Sequence, residues 1–314
     1  MVQLQVVEWN AWERFMITHI LPDAQCITAT PGAPLSALTM PSAPALIHVN
    51  LSRPRTVFPD YSDWLRAHEE AGRPVLNGYC RSIDKWAVQE ACAAAGLPQV
   101  RARRDGDPDE LVIIKSRANH CGLYEQTLPE EMTGDMTAPP WPYPERIHKL
   151  RRREVPEPLW TDRRIAIERF VSNASGRYQR AYVAGDYAAV VTAFSPDLVK
   201  QINQRHVTEM ISDDAAASRP ADNRDPLSVT FRLARAMQAD FAALDLALDE
   251  DGAPHPIDLN TTPSWGEETD LNPRLIGEMR EAFEPLLRAG SPHGRTASGA
   301  AGAGQAGRFG VATA

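Results

Sequence analysis

Residues 244–266 read LDLALDEDGAPHPIDLNTTPSWG and place two carboxylates and an amide, Asp245, Asp258 and Asn260, on strands that are otherwise apolar. An unpaired charge is expensive to bury, so these strands need a reason for their acids. The turn-forming "DGAP" predicts an antiparallel hairpin pairing residues 244–248 with 256–260. Side chains alternate along a strand, so Asp258 and Asn260 share one face and can converge with Asp245. Three hard oxygen donors at one spot suit Mg²⁺, which takes a few protein oxygens together with water and substrate phosphates. A solvated strand end would account for any one of these residues singly; it does not account for the three together.

Around this hairpin lies a chain of 314 residues with 43% hydrophobic content, enough for one large domain or two to three smaller ones. A formal charge of −8 argues against affinity for nucleic-acid backbone or anionic membrane, both of which reward clustered cations. No apolar run approaches the roughly 20 residues needed to span a bilayer, and "MVQLQVVEWNAWERF" lacks a signal-peptide layout, so the expected address is the cytoplasm. Cys26, Cys80, Cys92 and Cys121 show no CxxC spacing, which fits reduced thiols, with Cys92 in the core.

The first 80 residues alternate strand and helix patterns. "VQLQVVEW" and "PALIHVNL" read as buried strands, "NAWERFMITHIL" and "YSDWLRAHEEAG" as helices, and "RPVLNG" as a short closing strand of a parallel α/β layer. "SIDKWAVQEACAAAGLP" predicts a helix capped by Ser82 or Asp84 and stopped at Gly96. "QVRARR" and "ELVIIKS" are expected to form a hairpin across "DGDPD". The proline- and charge-rich residues 129–158 read as a surface excursion, either a lid or a solvated connector. Further on, "RIAIERFV" predicts a strand, "RYQRAYVAGDYAAVVTAF" a hairpin around Gly185 and Asp186, and "DPLSVTFRLARAMQADF" a helix. A last helix, "NPRLIGEMREAFEPLLRAG", ends at Gly290, and the Gly/Ala-rich residues 291–314 are expected to be disordered.

Only four of the 33 basic residues are lysine: Lys85, Lys115, Lys149 and Lys200. Where this chain uses lysine, a compact ammonium is worth examining. Lys85 sits in the first turn of its helix, where the backbone dipole disfavours a cation unless a ligand brings an anion. Lys115 closes the apolar "LVIIK", a place suited to phosphate, though a surface residue is the plainer reading of either lysine taken alone. Glu168, inside "IAIERFV", needs a partner. The backbone from Arg169 through Phe170 to Val171 can offer an amide and a carbonyl to a flat heterocycle, while an edge glutamate paired with an arginine is the plainer account.

The order of these features resembles the ATP-grasp superfamily. "IDK" before a helix ending in "AGLP", a lysine closing the next apolar strand, "IERFV", "RAYVAGD" and "DFAALDLALDEDGAPHPIDLNTTP" carry the likeness over about residues 77–288. "NTTP" is similar to the D-Ala-D-Ala ligase and RimK-like branches. The resemblance implies an α/β and α+β chain: an N-terminal pre-ATP-grasp domain (1–78), then a two-subdomain ATP-grasp fold (79–290, divided into 79–171 and 172–290) with ATP between two antiparallel sheets. It further implies that Lys85 and Lys115 contact ATP phosphates, that Glu168 accepts from the adenine amino group with Arg169, Phe170 and Val171 alongside, and that Asp245, Asp258 and Asn260 hold two Mg²⁺ ions, a role Mn²⁺ would also fit. Arg180 and Lys115 would be catalytic, Arg180 facing the acyl phosphate or its carboxylate precursor. The loop "SRANHCGLYEQ" would be the flap over the phosphates.

Three positions depart from that pattern. The flap has one glycine, Gly122; Asn173 or Ser175 stands where an acid usually holds the ribose; and Ala243 replaces an arginine of the D-Ala-D-Ala ligases, leaving Arg117, Arg205 or Arg180 alone to serve. The implied activity is a carboxylate–amine ligase that makes an acyl phosphate from ATP and then an amide, with ADP and phosphate released. A phosphotransferase acting on a small molecule or peptide is the alternative, and a nucleotide-binding protein without turnover is a third. No covalent enzyme intermediate is expected, so His120 and Cys121 are not nucleophile candidates. The implied partners are a small-molecule or peptide carboxylate and an amine, with a homodimer compatible with this reading.

Overall fold

The computed structural model describes residues 4–9, 15–30, 32–39, 43–54, 58, 61–133, 147–172, 174–194, 207–263 and 272–289. Its first layer consists of β1 (Gln5–Glu8), α1 (Phe15–Ile20), β2 (Gln25–Thr28), β3 (Ala45–His48), α2 (Tyr61–Glu70) and β4 (Val75–Leu76). The strands run parallel in the order β2-β1-β3-β4. Parallel strands are covered on both faces, which explains why β1 and β3 are buried at every position, with Gln5, Glu8 and His48 buried beside the apolar residues. In α2 the buried Tyr61, Trp64, Leu65 and His68 recur at helical spacing and form one face toward the sheet.

Next come α3 (Lys85–Ala94), β5 (Leu111–Ser116), the single-turn α4 (Glu130–Thr133), β6 (Ile147–Arg151) and β7 (Ile165–Arg169). Asp84 caps α3 by accepting from the Trp86 and Ala87 amides at 2.9 and 3.0 Å. Gly96, at φ +65°, ends the helix in the left-handed turn that glycine tolerates. The three strands form an antiparallel sheet in the order β6-β5-β7.

The remaining elements are β8 (Arg177–Ala184), β9 (Tyr187–Phe194), β10 (Val207–Asp213), α5 (Pro226–Met237), β11 (Phe241–Leu248), β12 (Pro254–Asn260) and α6 (Asn272–Ala289). Their strands make an antiparallel sheet ordered β10-β9-β8-β11-β12. One face of it, including Ala181, Val183, Leu244 and Leu246, shares a core with Val88 and Cys92 of α3 and Leu233 of α5. The other, including Tyr182, Ala184, Phe241 and Ala243, shares a core with α6 and with Val6, Leu46 and Leu76 of the parallel sheet. Among the described residues no helix is long and apolar enough to cross a membrane.

Asn77 joins the parallel layer to β11. Its side-chain amide donates to Ile47 O and Phe241 O at 3.2 and 2.8 Å, and its Oδ1 accepts from the Asp240 and Phe241 amides at 2.8 and 2.9 Å. Its own N–H donates to Asp240 Oδ2 at 2.7 Å. This pattern requires a left-handed backbone at φ +56°, which asparagine accepts more readily than most residues.

Two sequence expectations are corrected here. Residues 99–104 do not return as a hairpin partner of β5. Arg101 instead bridges Glu168, the Ala102 N–H donates to Ile167 O at 2.9 Å, and the Arg169 N–H donates to Val100 O at 2.6 Å. The intervening "DGDPDE" closes on Arg152, which donates to Asp107 O at 3.0 Å and pairs with Glu110, while Gly106 lies where any side chain would meet the guanidinium. Arg152 belongs to the stretch read as an excursion, 129–158, which contains α4 and the sheet strand β6. The question of a lid concerns 134–146, outside the described residues, as are 10–14, Gly290 and the tail 291–314.

Candidate functional site

β5 sorts its side chains by alternation. Val112 and Ile114 enter a small core with Ile165 and Ile167, so Ile113 and Lys115 take the opposite face, on which the cross-strand positions of β7 are Glu168 and Ala166. Lys115 Nζ stands 2.7 Å from Glu168 Oε2 and donates to Ile257 O of β12 at 3.2 Å. One ammonium therefore joins the three-stranded sheet to the five-stranded one. Burial works against its charge, but Glu168, Asp258 and Asp245 outweigh it and raise the pKa above the ordinary lysine value.

The predicted hairpin forms as β11 and β12, and Asp245 lies directly opposite Asp258. An irregularity in register between Asp245 and Leu246 leaves Ile257 as the extra residue, which frees its carbonyl for Lys115. On its other side Asp245 faces Arg180 of β8, whose Nη1 donates to Asp245 Oδ1 at 2.8 Å. Desolvation opposes the charge on Arg180; Asp245 and Tyr182 overcome it and raise its pKa. Lys85, the first residue of α3, is 4% exposed, and its Nζ lies 2.6 Å from Asp258 Oδ2. That ion pair holds the ammonium, which has no further hydrogen-bond partner among the described residues. Three cations from α3, β5 and β8 thus meet three acids from β7, β11 and β12.

Asn260 lies across from Ala243, and its Oδ1 accepts from the Thr262 N–H and hydroxyl, both at 2.8 Å. Among the described residues no group of three or more His, Cys, Asp or Glu could hold a metal ion, and the expected donors, Asp245, Asp258 and Asn260, amount to two carboxylates and one amide. These are hard oxygens of the kind Mg²⁺ takes, and they fit it on condition that Asp245 and Asp258 exchange their cations for the metal and that Asn260 Oδ1 gives up one of its bonds to Thr262. The residues expected to face nucleotide also have an atom without a partner among the described residues. Glu168 is 4% exposed, and its Oε1 has no hydrogen-bond partner among the described residues, which suits an amino group of a base. In the following segment the Arg169 and Phe170 amides are used by Val100 O and Leu111 O, leaving Val171 as the amide not used by a described bond.

Gly122 closes the 3₁₀ turn Asn119–Gly122 at φ +72°. The flap segment is tied to the parallel layer, since the Asn119 N–H donates to Ser52 Oγ at 2.8 Å and the Asn119 side chain bonds Asn50. No described bond brings Gly122 to the lysines. Of the candidate arginines, Arg117 grips Asp84 through two bonds of 3.0 Å and lies over the Trp86 ring at 4.2 Å, which commits it to the start of α3. Arg205 and Asn173 are outside the described residues, as are residues 264–266 of "TTPSWG". Sequence reading missed the carbonyl of Ile257, which carries no residue-type signal, and Glu125, whose signal was a lone acid in "NHCGLYEQ".

No family model matches this chain, and no curated protein matches its sequence. Among solved structures it is similar to the ATP-grasp ligase PsnB complexed with minimal precursor, Mg and ADP: TM-score 0.50, 14% identity, 90% of this chain and 98% of PsnB covered. PsnB with precursor peptide PsnA2 and AMPPNP gives the same values. A RimK domain ATP-grasp protein from Sphaerobacter thermophilus matches with TM-score 0.49 and 14% identity over 90% of this chain and 99% of its own. The likeness to PsnB shows the fold alone: the chain has the ATP-grasp fold.

Proposed function

We propose that this ATP-grasp chain is an ATP-dependent ligase that joins a carboxylate to an amine through an acyl phosphate. The observation that carries the reading is the convergence of three ion pairs, Lys85–Asp258, Lys115–Glu168 and Arg180–Asp245, from two sheets and one helix start. A site that keeps three cations, one buried and two largely so, beside three acids is poised to exchange partners with a metal-bound polyphosphate, which carries both signs of charge.

In this scheme Lys85 and Lys115 hold phosphate oxygens, Glu168 Oε1 accepts from the adenine amino group and the Val171 N–H donates to the ring. Mg²⁺, held by Asp245, Asp258 and Asn260, would supply charge neutralisation to the phosphoryl oxygens. Arg180, released from Asp245, turns its guanidinium to the substrate carboxylate. A carboxylate oxygen attacks the γ-phosphorus, and the bond to ADP breaks with its electron pair leaving on ADP. The amine nitrogen then attacks the acyl carbon, and phosphate leaves. The residues contribute chiefly positioning and electrostatic stabilisation.

PsnB is a ligase seen with a precursor peptide, which supports including peptides in the substrate panel. The test is an ADP-release screen of the full chain across carboxylates and amines, with mass spectrometry of the products. The ligase reading expects phosphate release that needs both partners and an amide product. A phosphorylated single substrate would replace it with the phosphotransferase reading.

A further inference from the structure

One carboxylate beside the three ion pairs has no part in that scheme. Glu125 opens the 3₁₀ turn Glu125–Thr127 downstream of β5 and is 3% exposed. Its Oε1 accepts the Ser52 N–H at 2.7 Å, whereas Oε2, shielded from solvent, has no hydrogen-bond partner among the described residues. Burial raises its pKa, and the Ser52 groups and the charge of Lys85 only partly offset that. Lys85 is thus within electrostatic reach of Glu125 while pairing with Asp258 at 2.6 Å.

A buried carboxylate oxygen without a donor is costly, and the missing donor defines what belongs there. Phosphate is excluded, because a second anion would repel Glu125. The cations nearby already face acids: Lys85, Lys115 and Arg180 pair with Asp258, Glu168 and Asp245, and Arg53 and Arg117 both pair with Asp84. What remains is a cation brought by substrate, arriving between the parallel layer that carries Ser52 and the helix start that carries Lys85. In an amide-forming site that cation is an ammonium.

We propose that Glu125 Oε2 receives the ammonium of the amine substrate and takes one of its protons before attack. This rests on the ligase reading. The N–H bond breaks toward Oε2, giving a neutral amine and a carboxylic acid. The nitrogen lone pair forms the C–N bond at the acyl carbon, and the C–O bond to phosphate breaks with its electrons leaving on phosphate. The second proton lost from nitrogen goes to the departing phosphate, which leaves the amide neutral, and Glu125 returns its proton to water. Glu125 also braces the loop after β3 through Ser52, so the test must separate a brace from a proton acceptor.

Hydroxylamine makes that separation, because it is largely unprotonated at neutral pH and traps acyl phosphates without needing a base. The full chain with MgATP is given a panel of amino acids and dipeptides as acids, with either hydroxylamine or a panel of amino acids and alkyl amines as nucleophile. In Glu125→Gln, whose amide oxygen can still accept the Ser52 N–H, hydroxamate formation should be retained. Amide formation from protonated amines should fall by about 10²-fold or more. Glu125→Ala should recover amide formation when formate is added. Parallel loss of both products, loss of neither, or a folded Glu125→Ala that formate does not rescue overturns the proposal. So does a parent chain that makes hydroxamate but no amide. A parent chain that makes no hydroxamate from any acid instead removes the ligase reading, and this proposal with it.

Discussion

Lys85 Nζ stands 2.6 Å from Asp258 Oδ2, so the first residue of α3 neutralises a carboxylate of β12. Arg180 does the same for Asp245 at 2.8 Å. Without a metal, each predicted metal acid already has a cation, and a phosphate must compete with it. ATP should therefore bind at least about tenfold more tightly with Mg²⁺ than with EDTA, a difference of about 1.4 kcal/mol. Calorimetric titration under the two conditions checks this, and equal affinities would show that the carboxylates do not restrain the cations.

Asp258→Asn keeps volume and removes the charge shared by the metal and Lys85. Lys115→Ala removes the link between the two antiparallel sheets. Each should lower ADP formation by about 10²-fold or more while circular dichroism stays that of the parent chain. Turnover within a few-fold of the parent's would remove these residues from the phosphate site.

Arg180 is assigned to the acyl group, so Arg180→Ala should lower kcat more than it raises the KM for ATP. Steady-state kinetics with saturating acid and amine reads the split. A rise in KM at constant kcat would make Arg180 a nucleotide ligand.

His48 is wholly buried at the end of β3, stacked on Phe241 with 5.9 Å between ring centroids, and burial pushes its pKa down to about 3. The unfolded chain takes up this proton below about pH 6.5 and the folded chain does not. Unfolded chains then bind more protons, so stability falls as pH drops from about 6.5 toward 3, by roughly 1.4 kcal/mol per unit. His48→Leu should flatten the fall of Tm with pH in that window. An unchanged slope would show that His48 is charged in the folded state or reached by solvent.

Asn77→Gly keeps the left-handed backbone at φ +56° and deletes four side-chain bonds, so it should destabilise by about 2–4 kcal/mol in urea unfolding. Asn77→Ala should cost more, because alanine adds backbone strain there. A loss below about 1 kcal/mol in Asn77→Gly would mean that water replaces the amide.

The legible parts of this fold were those whose signal is local. The hairpin of Asp245 and Asp258 showed itself through a turn and an alternating pattern, and α3 through a capping acid and a terminal glycine. The strands that escaped, β2, β6 and β10, each lie at an edge of their sheet. The edge strands β4, β7 and β12 showed themselves through apolar residues or a flanking turn, whereas QCIT and IHKLR mix polar residues with few apolar ones and look like loops. The candidate site divides the same way. Residue types marked Lys85, Lys115, Glu168 and Asp258, but the pairing of each cation with its acid depends on how helix and sheets pack. The Ile257 carbonyl depends on a register irregularity, and Glu125 on a loop folding back to Ser52, and neither is written in any local pattern.

The claim that the site activates a carboxylate by phosphorylation is tested most directly with an acid labelled with ¹⁸O in its carboxyl group. Once the screen has supplied an acid and amine, the released phosphate is analysed by mass spectrometry. Attack of the carboxylate on ATP followed by amine attack on carbon leaves one labelled oxygen in each phosphate. Unlabelled phosphate, or phosphate retained on a substrate, would contradict the account.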